Sequence, residues 1–327
     1  MEHIEEAGIH SGDSSCTLPP ITLGPDIIAK VKDATEKIAR GTGVRGLINI
    51  QFAYVSENLY VIEANPRASR TVPFVSKATG VQMAKAAVLI GLGKSIAELK
   101  AEGYLPSNMD GASLPEETAI AVKAAVLPFA RFRTPEGVVV DSLLSPEMRS
   151  TGEVMGLDKH YDTAFAKAQA GAGSPLPTSG KVFISVANHD KRNVIIYAKM
   201  LESLGFEIVS TGGTAEILRR NGLNSVIVAS KFAEANGDHS IVDMVRNGDI
   251  DLILNTPAGG AARSDGYEIR AAAVSVGCPV MTTISEFAAA VQAINALREH
   301  SWDIMSLQEH GVQLAAAVDA RSEGGEA

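Results

Sequence analysis

Cysteine is scarce in this chain of 327 residues, which contains only Cys16 and Cys278. Two cysteines so far apart lack the spacing of a metal site and are typical of free thiols in a reducing compartment. Long apolar runs are missing too, since none approaches the roughly 20 residues needed to span a bilayer. The charged opening from Met1 to Glu6 is unlike a secretory leader. We therefore expect a cytoplasmic protein with no membrane partner.

Positive charge is also in short supply, because 29 Lys and Arg stand against 38 Asp and Glu, for a formal net charge of -9. A chain this acidic lacks the electrostatic footprint of a nucleic-acid-binding protein. Hydrophobic residues make up 46% and charged residues 20% of the chain, which is typical of a packed globular protein. The length allows two domains of ordinary size.

The first half of the sequence changes pattern several times. Pro25 and Gly41 punctuate a run of apolar residues at helical spacing, and Ser56-Glu57-Asn58 separates two strand-like runs. In chain order, these signals predict a helix over 26–40, a β-hairpin from 47–53 and 59–63, a helix over 82–92 and an irregular insertion over 94–119.

The second half is more regular. The stretch 168–177, AQAGAGSPLP, is the best candidate for a linker, so we predict one domain over residues 1–174 and another over 175–327. Strands that alternate with helices at the observed spacing predict an α/β domain with a doubly wound parallel sheet. We expect the tail 321–327 to be frayed. The strand-like runs are 181–186, 206–210, 224–229, 251–255 and 279–283.

One group of functional side chains lies on the predicted hairpin. If the chain turns at Glu57, Gln51 lies opposite Glu63, and Asn65 shares their face. Hard cations such as Mg²⁺ take oxygen ligands and share them with phosphates, while Arg67 and Arg70 follow as possible anion ligands. Read from spacing alone, the same residues also fit a solvated polar end of a hairpin.

A second candidate site lies in the α/β half. Thr211-Gly212-Gly213-Thr214 joins a strand to a helix, where free N–H groups and the helix dipole favour a phosphate. Lys191 follows the first strand and Asn255 ends the fourth, and ligands of such sheets bind at the carboxyl ends of strands. An ordinary Gly-Gly turn is the alternative.

Three long motifs resemble the large-subunit family of carbamoyl phosphate synthetase, a member of the ATP-grasp superfamily. They are MEHIEEAGIHSGDS at 1–14, EANPRASRTVPFVSKATG at 63–80 and PEMRSTGEVMG at 146–156. The resemblance implies that the first half is the end of the ATP-grasp domain that phosphorylates carbamate with ATP. It also implies that the whole enzyme uses bicarbonate, glutamine-derived ammonia and two ATP to make carbamoyl phosphate for arginine and pyrimidine biosynthesis.

The family resemblance also assigns roles to residues of the first half. Gln51, Glu63 and Asn65 match ligands of a nucleotide-bound Mg²⁺ or Mn²⁺, and Arg67 and Arg70 match arginines near the reacting groups. An earlier subdomain that completes an ATP-grasp site is not in this sequence, so we expect no synthetase activity from the chain alone. The stretch that matches ATP contacts comprises Gly8, Ile9, His10 and Ser11.

The second half resembles the methylglyoxal synthase-like domain that closes the family's large subunit and binds UMP as inhibitor and IMP as activator. Glu5 and Asp13 match ornithine contacts of some members, but Ala124 stands where those members carry an acid, so we predict weak or absent ornithine control. The positions that match nucleotide-effector contacts are Ser185, Lys191, Thr211, Thr214, Lys231 and Asn255.

The alternatives differ in the chemistry they need. A methylglyoxal synthase, a lyase, requires a carboxylate base near the phosphate, whereas residues 257–264 contain no acid before Asp265. A stand-alone ATP-grasp ligase requires the missing subdomain. The resemblance instead implies a glutaminase small subunit and the remainder of the large subunit as partners, and it allows a homo-oligomer.

Overall fold

A computed structural model describes residues 1–106, 118–134, 139–231, 240–257, 259–299 and 302–324. The fold is mixed α/β, as predicted. In the first half the helices are α1 (Pro25–Thr42), α2 (Thr71–Thr79), α3 (Met83–Gly91), α4 (Ile96–Ala101) and α5 (Tyr161–Gly171). The strands there are β1 (Glu2–His3), β2 (Cys16–Leu18), β3 (Asn49–Val55), β4 (Asn58–Asn65), β5 (Ile120–Val126) and β6 (Gly152–Asp158).

The second half alternates strands and helices. Its strands are β7 (Lys181–Ser185), β8 (Glu207–Ser210), β9 (Ile227–Val228), β10 (Leu252–Asn255) and β11 (Val280–Met281). Its helices are α6 (Lys191–Ser203), α7 (Gly212–Arg220), α8 (Ile241–Arg246), α9 (Gly259–Val276), α10 (Ile284–Glu299) and α11 (Leu307–Gly324). No helix within the described ranges is long and apolar enough to cross a membrane.

The five strands of the second half form one parallel sheet in the order β11-β10-β7-β8-β9. The chain enters at the central β7, runs outward to β9, and then crosses to β10 on the other side. This reversal creates a crevice at the carboxyl ends of β7 and β10, where ligands of doubly wound sheets bind. The predicted doubly wound parallel sheet is thus confirmed.

The first half contributes an antiparallel sheet in the order β1-β2-β5-β6 and a separate β3-β4 hairpin. Helix α5 packs on β5 and β6 and also on α10 of the second half. One apolar core therefore runs through both halves and includes Val122 and Phe165 of the first and Ile184 and Ile294 of the second. The two sheets are consequently held close together through α5.

Several predicted boundaries need correction. Helix α1 ends at Thr42 and is followed by Gly43, which has a left-handed backbone. The sequence predicted Gly41 as the residue just past the end. The hairpin turn is shorter than predicted, because only Ser56 and Glu57 lie outside the strands, with positive φ angles of 48° and 66°. A left-handed pair of this kind matches the twist of the flanking strands.

Two segments predicted to be irregular are partly helical. The insertion 94–119 contains α4, which begins with a capping box between Ser95 and Glu98, and its residues 107–117 lie outside the described part. The linker predicted over 168–177 begins inside α5, because Ala168 and Gln169 are buried against the core. The tail is likewise helical to Gly324, and 325–327 lie outside the described residues.

Candidate functional site

The hairpin places oxygen-bearing side chains on one face. Gln51 lies opposite Glu63, as predicted, and Asn49 lies opposite Asn65. Directly opposed residues of an antiparallel pair project to the same side, and residues two apart on a strand share a face. A register shift after Gln51 ends this regular arrangement on the side of the turn. The four side chains therefore share one face near the open end of the hairpin.

A cavity of about 330 Å³ lies beside this face. The predicted residues Gln51, Gly8 and Ile9 do not line it, and Asn49 does. Sequence reasoning missed Asn49, although its position two residues before Gln51 on a predicted strand indicated the same face. The predicted residues that line the cavity are His10, Ser11, Glu63, Asn65, Arg67 and Arg70.

Arg70 is held on the wall of this cavity by Ser150. Its Nη1 donates to Ser150 Oγ at 2.9 Å and to Ser150 O at 3.3 Å. Ser150 is itself fixed by Asp13, whose carboxylate accepts from Ser150 N at 2.9 Å and Arg149 N at 2.7 Å. Arg70 Nη2 is buried and has no hydrogen-bond partner among the described residues. It is a donor that an anion in the cavity could use.

Lys123 adds a second cation that sequence reasoning missed. It lies on β5 with 1% of its side chain exposed, and its Nζ donates to Ser11 O at 3.0 Å. Glu153 Oε2 lies 4.0 Å from Lys123 Nζ. Burial raises the pKa of Glu153, while the charges of Lys123 and Arg70 act in the opposite direction. The sequence did contain a signal for this residue, because Lys123 is the single charged residue in the otherwise apolar strand IAVKAAV.

His10 has a structural contact beside its place in the cavity wall. Gly12 N donates to His10 Nδ1 at 3.0 Å, so the neutral ring carries its proton on Nε2. The backbone N–H of His10 donates to Ser145 O at 3.0 Å. The loop from His10 to Asp13 is therefore fixed to the segment that carries Ser145 and Ser150.

The donor set of this cavity fits a hard cation bound together with a phosphate. One carboxylate, Glu63, stands beside the amide side chains of Asn49 and Asn65, with Arg67 and Arg70 nearby. Within the described ranges no group of three His, Cys, Asp or Glu side chains is arranged to hold a metal ion by itself. A second acid, Glu153, also lines the cavity, 4.0 Å from Lys123 Nζ. Because Mg²⁺ is commonly bound by one or two carboxylates plus substrate phosphates, a site with these acids is suited to a metal-nucleotide.

The second candidate site lies at the carboxyl edge of the parallel sheet. Ser185 ends β7, and its Oγ lies 3.3 Å from Thr211 Oγ1, at the end of β8. Asn255 ends β10, and its Nδ2 donates to Ser185 O at 3.4 Å. The sheet thus brings Ser185, Thr211 and Asn255 together at the crevice, as the strand pattern predicts.

Helix α7 begins at this crevice. An added Cβ on Gly213 would lie 3.4 Å from Lys191 Nζ, so the Lys191 ammonium lies over the start of the helix. Lys191 and the N–H groups of this first turn together offer positive charge to an anion. Thr214 is buried below, where its Oγ1 accepts from Val186 N at 3.5 Å.

Lys231 has a different environment. Its Nζ lies 2.8 Å from Glu268 Oε2 on α9, and this hydrogen bond lowers the pKa of Glu268. Thr256, which follows Asn255 at the end of the fourth predicted strand, accepts from Ala187 N through its Oγ1 at 2.9 Å. Sequence reasoning missed Arg270, whose Nη1 donates to Asn255 Oδ1 at 2.7 Å. The side chains of 258–265, including the acid-free loop, lie outside the described part.

A smaller cavity of about 110 Å³ lies where the two halves meet, and Glu5, Asp13 and Glu286 line it together with Ala124 and Val280. Glu5 is 6% exposed, and burial raises its pKa to about 7. Burial and the nearby Glu5 raise the pKa of Glu286 to about 8. Glu5 and Glu286 therefore have a reduced tendency to ionise at neutral pH.

Two family models match the chain. Residues 1–99 match "Carbamoyl-phosphate synthase L chain, ATP binding domain", and residues 193–282 match "MGS-like domain". The first match contains the hairpin and much of the larger cavity, and the second contains most of the parallel sheet and its crevice. Fold and sites thus define a protein that joins an ATP-binding segment of this type to an MGS-like domain.

Curated relatives agree along the whole chain. The large chain of carbamoyl phosphate synthase from Kocuria rhizophila is 70% identical over 95% of this chain, and that from Micrococcus luteus is 66% identical over 97%. The large chain from Streptomyces coelicolor is 58% identical over 98%. The chain belongs to the carbamoyl phosphate synthase large-chain family and matches its carboxy-terminal part. It spans 28% to 29% of the length of these relatives.

Proposed function

We propose that this chain forms part of a carbamoyl phosphate synthase, an ATP-dependent ligase, and contributes to the phosphorylation of carbamate by ATP. The observation that carries the proposal is the cavity beside the hairpin, which Glu63 and Asn65 line together with Arg67, Arg70 and Lys123. Phosphoryl transfer depends mainly on positioning and on neutralising charge. Oxygen ligands on one wall and cations on the other meet both needs.

The oxygen-rich wall is proposed to hold the metal of the nucleotide. Glu63 and Asn65, with Gln51 as predicted and Asn49 as an additional candidate, would bind Mg²⁺ or Mn²⁺. When bound, the ion would neutralise charge on the phosphates of ATP. The backbone of Gly8 and Ile9 and the side chains of His10 and Ser11 are proposed to contact the nucleotide.

The cationic wall is proposed to hold the transferred group. Arg70 Nη2 has no partner among the described residues, and Ser150 fixes the other arm of the guanidinium. Arg67 is exposed beside it, and its Nη1 donates to Ala68 O at 3.1 Å. Lys123 lies at the back of the cavity, fixed to Ser11 O. These cations would bind carbamate and the phosphoryl group and stabilise negative charge that develops during transfer.

The crevice of the second half is proposed as a nucleotide-effector site for UMP and IMP. Ser185, Thr211 and Asn255 converge there, and Lys191 lies over the start of α7. A nucleotide phosphate at the helix start would be bound by N–H groups and by Lys191. Thr214 would stabilise the base of the crevice through its hydrogen bond with Val186 N. Lys231 would bind the ligand either after its ion pair with Glu268 breaks or while its ammonium contacts both Glu268 and the ligand.

The complete enzyme is proposed to need further protein. We expect this chain to lack synthase activity by itself, to act with the rest of a large chain and with a glutaminase small subunit, and to be cytoplasmic. The products would serve arginine and pyrimidine biosynthesis. The division at 174/175 into an ATP-grasp segment and an effector domain is part of the same proposal.

Calorimetric titration of the chain with UMP and IMP tests the effector site. We expect saturable binding that Thr211→Ala weakens about ten-fold, since a buried hydrogen bond to a charged group contributes about 1.5–3 kcal/mol. Ser203→Ala, on the exposed end of α6, is the control and should bind like the unaltered chain. Absence of binding to folded protein would contradict the proposal.

A further inference from the structure

Arg270 connects the crevice of the second half to a segment of the first. Its side chain is completely buried in α9, and its Nη1 donates to Asn255 Oδ1 at 2.7 Å. The other side of the guanidinium faces Asp141, with Nε to Oδ1 and Nη2 to Oδ2 both at 2.7 Å. This paired geometry fixes orientation as well as distance. The position of Asp141 is therefore tied to that of Asn255.

Asp141 belongs to residues 139–150, which we call the connecting segment. A second contact attaches it to α9, since Tyr267 Oη donates to Val139 O at 2.6 Å. At its other end Arg149 N and Ser150 N donate to Asp13, and Ser145 O accepts from His10 N. The segment thus begins against the helix beside the crevice and ends on the wall of the larger cavity.

The far end of the connecting segment holds Arg70 in place. Ser150 accepts Arg70 Nη1 through both its hydroxyl and its carbonyl oxygen. Any shift of Ser150 would change where the unpartnered Nη2 of Arg70 points. Because Ser150 is 6% exposed and Asp13 1% exposed, these groups have little room to adjust independently.

Asn255 is the group that both the crevice and Arg270 use. Its Nδ2 donates to Ser185 O, and its Oδ1 accepts from Arg270. Gly266 makes this contact possible, because an added Cβ there would lie 2.5 Å from Asn255 Oδ1. A ligand that accepts from the second N–H of Asn255 would pull on the same planar amide whose Oδ1 accepts from Arg270. A fully buried guanidinium that loses a partner must then shift, since leaving the group unsatisfied is costly.

We propose that Arg270 and Asp141 are positioning residues. Through the connecting segment, they make the position of the Arg70 guanidinium depend on whether a nucleotide occupies the crevice. This inference rests on the proposed effector site and adds the route of its control. By reciprocity of linked binding, a ligand at the Arg70 cavity would also change nucleotide affinity at the crevice. The link requires a guanidinium at position 270 and a carboxylate at position 141, because the two groups form a pair of parallel hydrogen bonds.

Amide hydrogen exchange of the full chain with and without UMP, and with and without IMP, tests the link. We expect at least one nucleotide to change the exchange rates of Arg149 and Ser150 by about three-fold or more. In Asp141→Asn that change should vanish while nucleotide affinity stays within about three-fold. In Arg270→Lys it should also vanish, measured with each nucleotide added to saturation. Asp243→Asn, an acid that is 61% exposed on α8, is the matched control and should keep the response.

The outcomes separate the link from the effector site. Normal binding without a change at Arg149 and Ser150, or a change that persists in both variants, overturns the link alone. Failure of both nucleotides to bind the unaltered chain overturns the effector site and the link together. Exchange at buried strand residues such as Phe183 and Ile253 reports whether each variant folds. If Asp141→Asn does not fold, Arg270→Lys and Tyr267→Phe decide, the latter removing only the contact to Val139.

Discussion

Asp13 is the residue on which the wall of the larger cavity depends most directly. It is 1% exposed, and its carboxylate accepts from Arg149 N, Ser150 N and Ser150 Oγ at 2.7, 2.9 and 2.5 Å. Such bonds to a charged acceptor are stronger than neutral ones. A buried carboxylate that fixes a loop in this way contributes both to stability and to the position of Arg70.

Asp13→Asn should therefore lower the free energy of unfolding by about 2–4 kcal/mol, because an amide can accept at only one of its two positions and leaves a donor facing N–H groups. Denaturant unfolding measures the loss. Asp243→Asn on exposed α8 should change stability by less than about 0.5 kcal/mol. Equal effects of the two substitutions would contradict the role given to Asp13.

The raised pKa of Glu5 predicts how the free energy of unfolding changes with pH. Burial raises its pKa from 4.5 to about 7 in the folded chain, so the unfolded chain ionises first as pH rises. The contribution of Glu5 is complete below pH 4.5 and is lost as pH rises to about 7. Since one pKa unit corresponds to about 1.4 kcal/mol, the loss is on the order of 3 kcal/mol.

Thermal or denaturant unfolding between about pH 5 and pH 8 measures this loss. Glu5→Gln should flatten the profile, because the amide does not titrate, and should make the chain more stable than the unaltered protein at the alkaline end. Glu147→Gln, whose side chain is 77% exposed, should keep the original slope. An unchanged slope in Glu5→Gln would rule out Glu5 as its source.

At the scale of elements, the close packing of α5 on β6 depends on Gly156. An added Cβ there would collide with the backbone of α5, lying 2.6 Å from Ala168 N and closer still to Ala164 O. Because α5 also packs on α10, a displaced α5 would loosen the core shared by both halves. Only glycine lets the two backbones come this close.

Gly156→Ala should consequently destabilise the chain by about 3 kcal/mol or more, through strain that the backbone cannot relieve. Gly91→Ala in α3 is the matched control, because an added Cβ there meets no atom within 4 Å. That control should be neutral or stabilising by about 0.5–1 kcal/mol. Similar melting temperatures for the two variants would show that α5 and β6 can move apart without cost.

At the scale of the whole molecule, the described residues leave much of the hairpin and α1 uncovered. Tyr60 is 56%, Val61 51% and Ile62 46% exposed on β4, and α1 has no buried residue. The relatives are more than three times as long as this chain. An apolar surface of this kind favours association.

We expect the chain to self-associate as its concentration rises, and Val61→Thr with Ile62→Thr to shift it towards the monomer. Threonine keeps the strand preference while removing apolar surface. Sedimentation velocity over a concentration series measures the change. Ile196→Thr, on an α6 position that is 60% exposed, is the control and should leave the association unchanged. A monomer at every concentration would contradict this expectation.

Local patterns in the sequence determined the parallel sheet, the hairpin and the register that sets Gln51 opposite Glu63, because these depend on side-chain periodicity and turn residues. They also indicated which strand ends carry Ser185, Thr211 and Asn255. The strand pattern placed Asn49 on the face of Gln51, but the role of Arg270 could not be predicted, because it arises from segments distant in sequence. Only the tertiary structure decided that Lys123 reaches Ser11, and that Asp141 meets Arg270 across 129 positions. Packing between segments distant in sequence, which no local pattern encodes, makes these contacts.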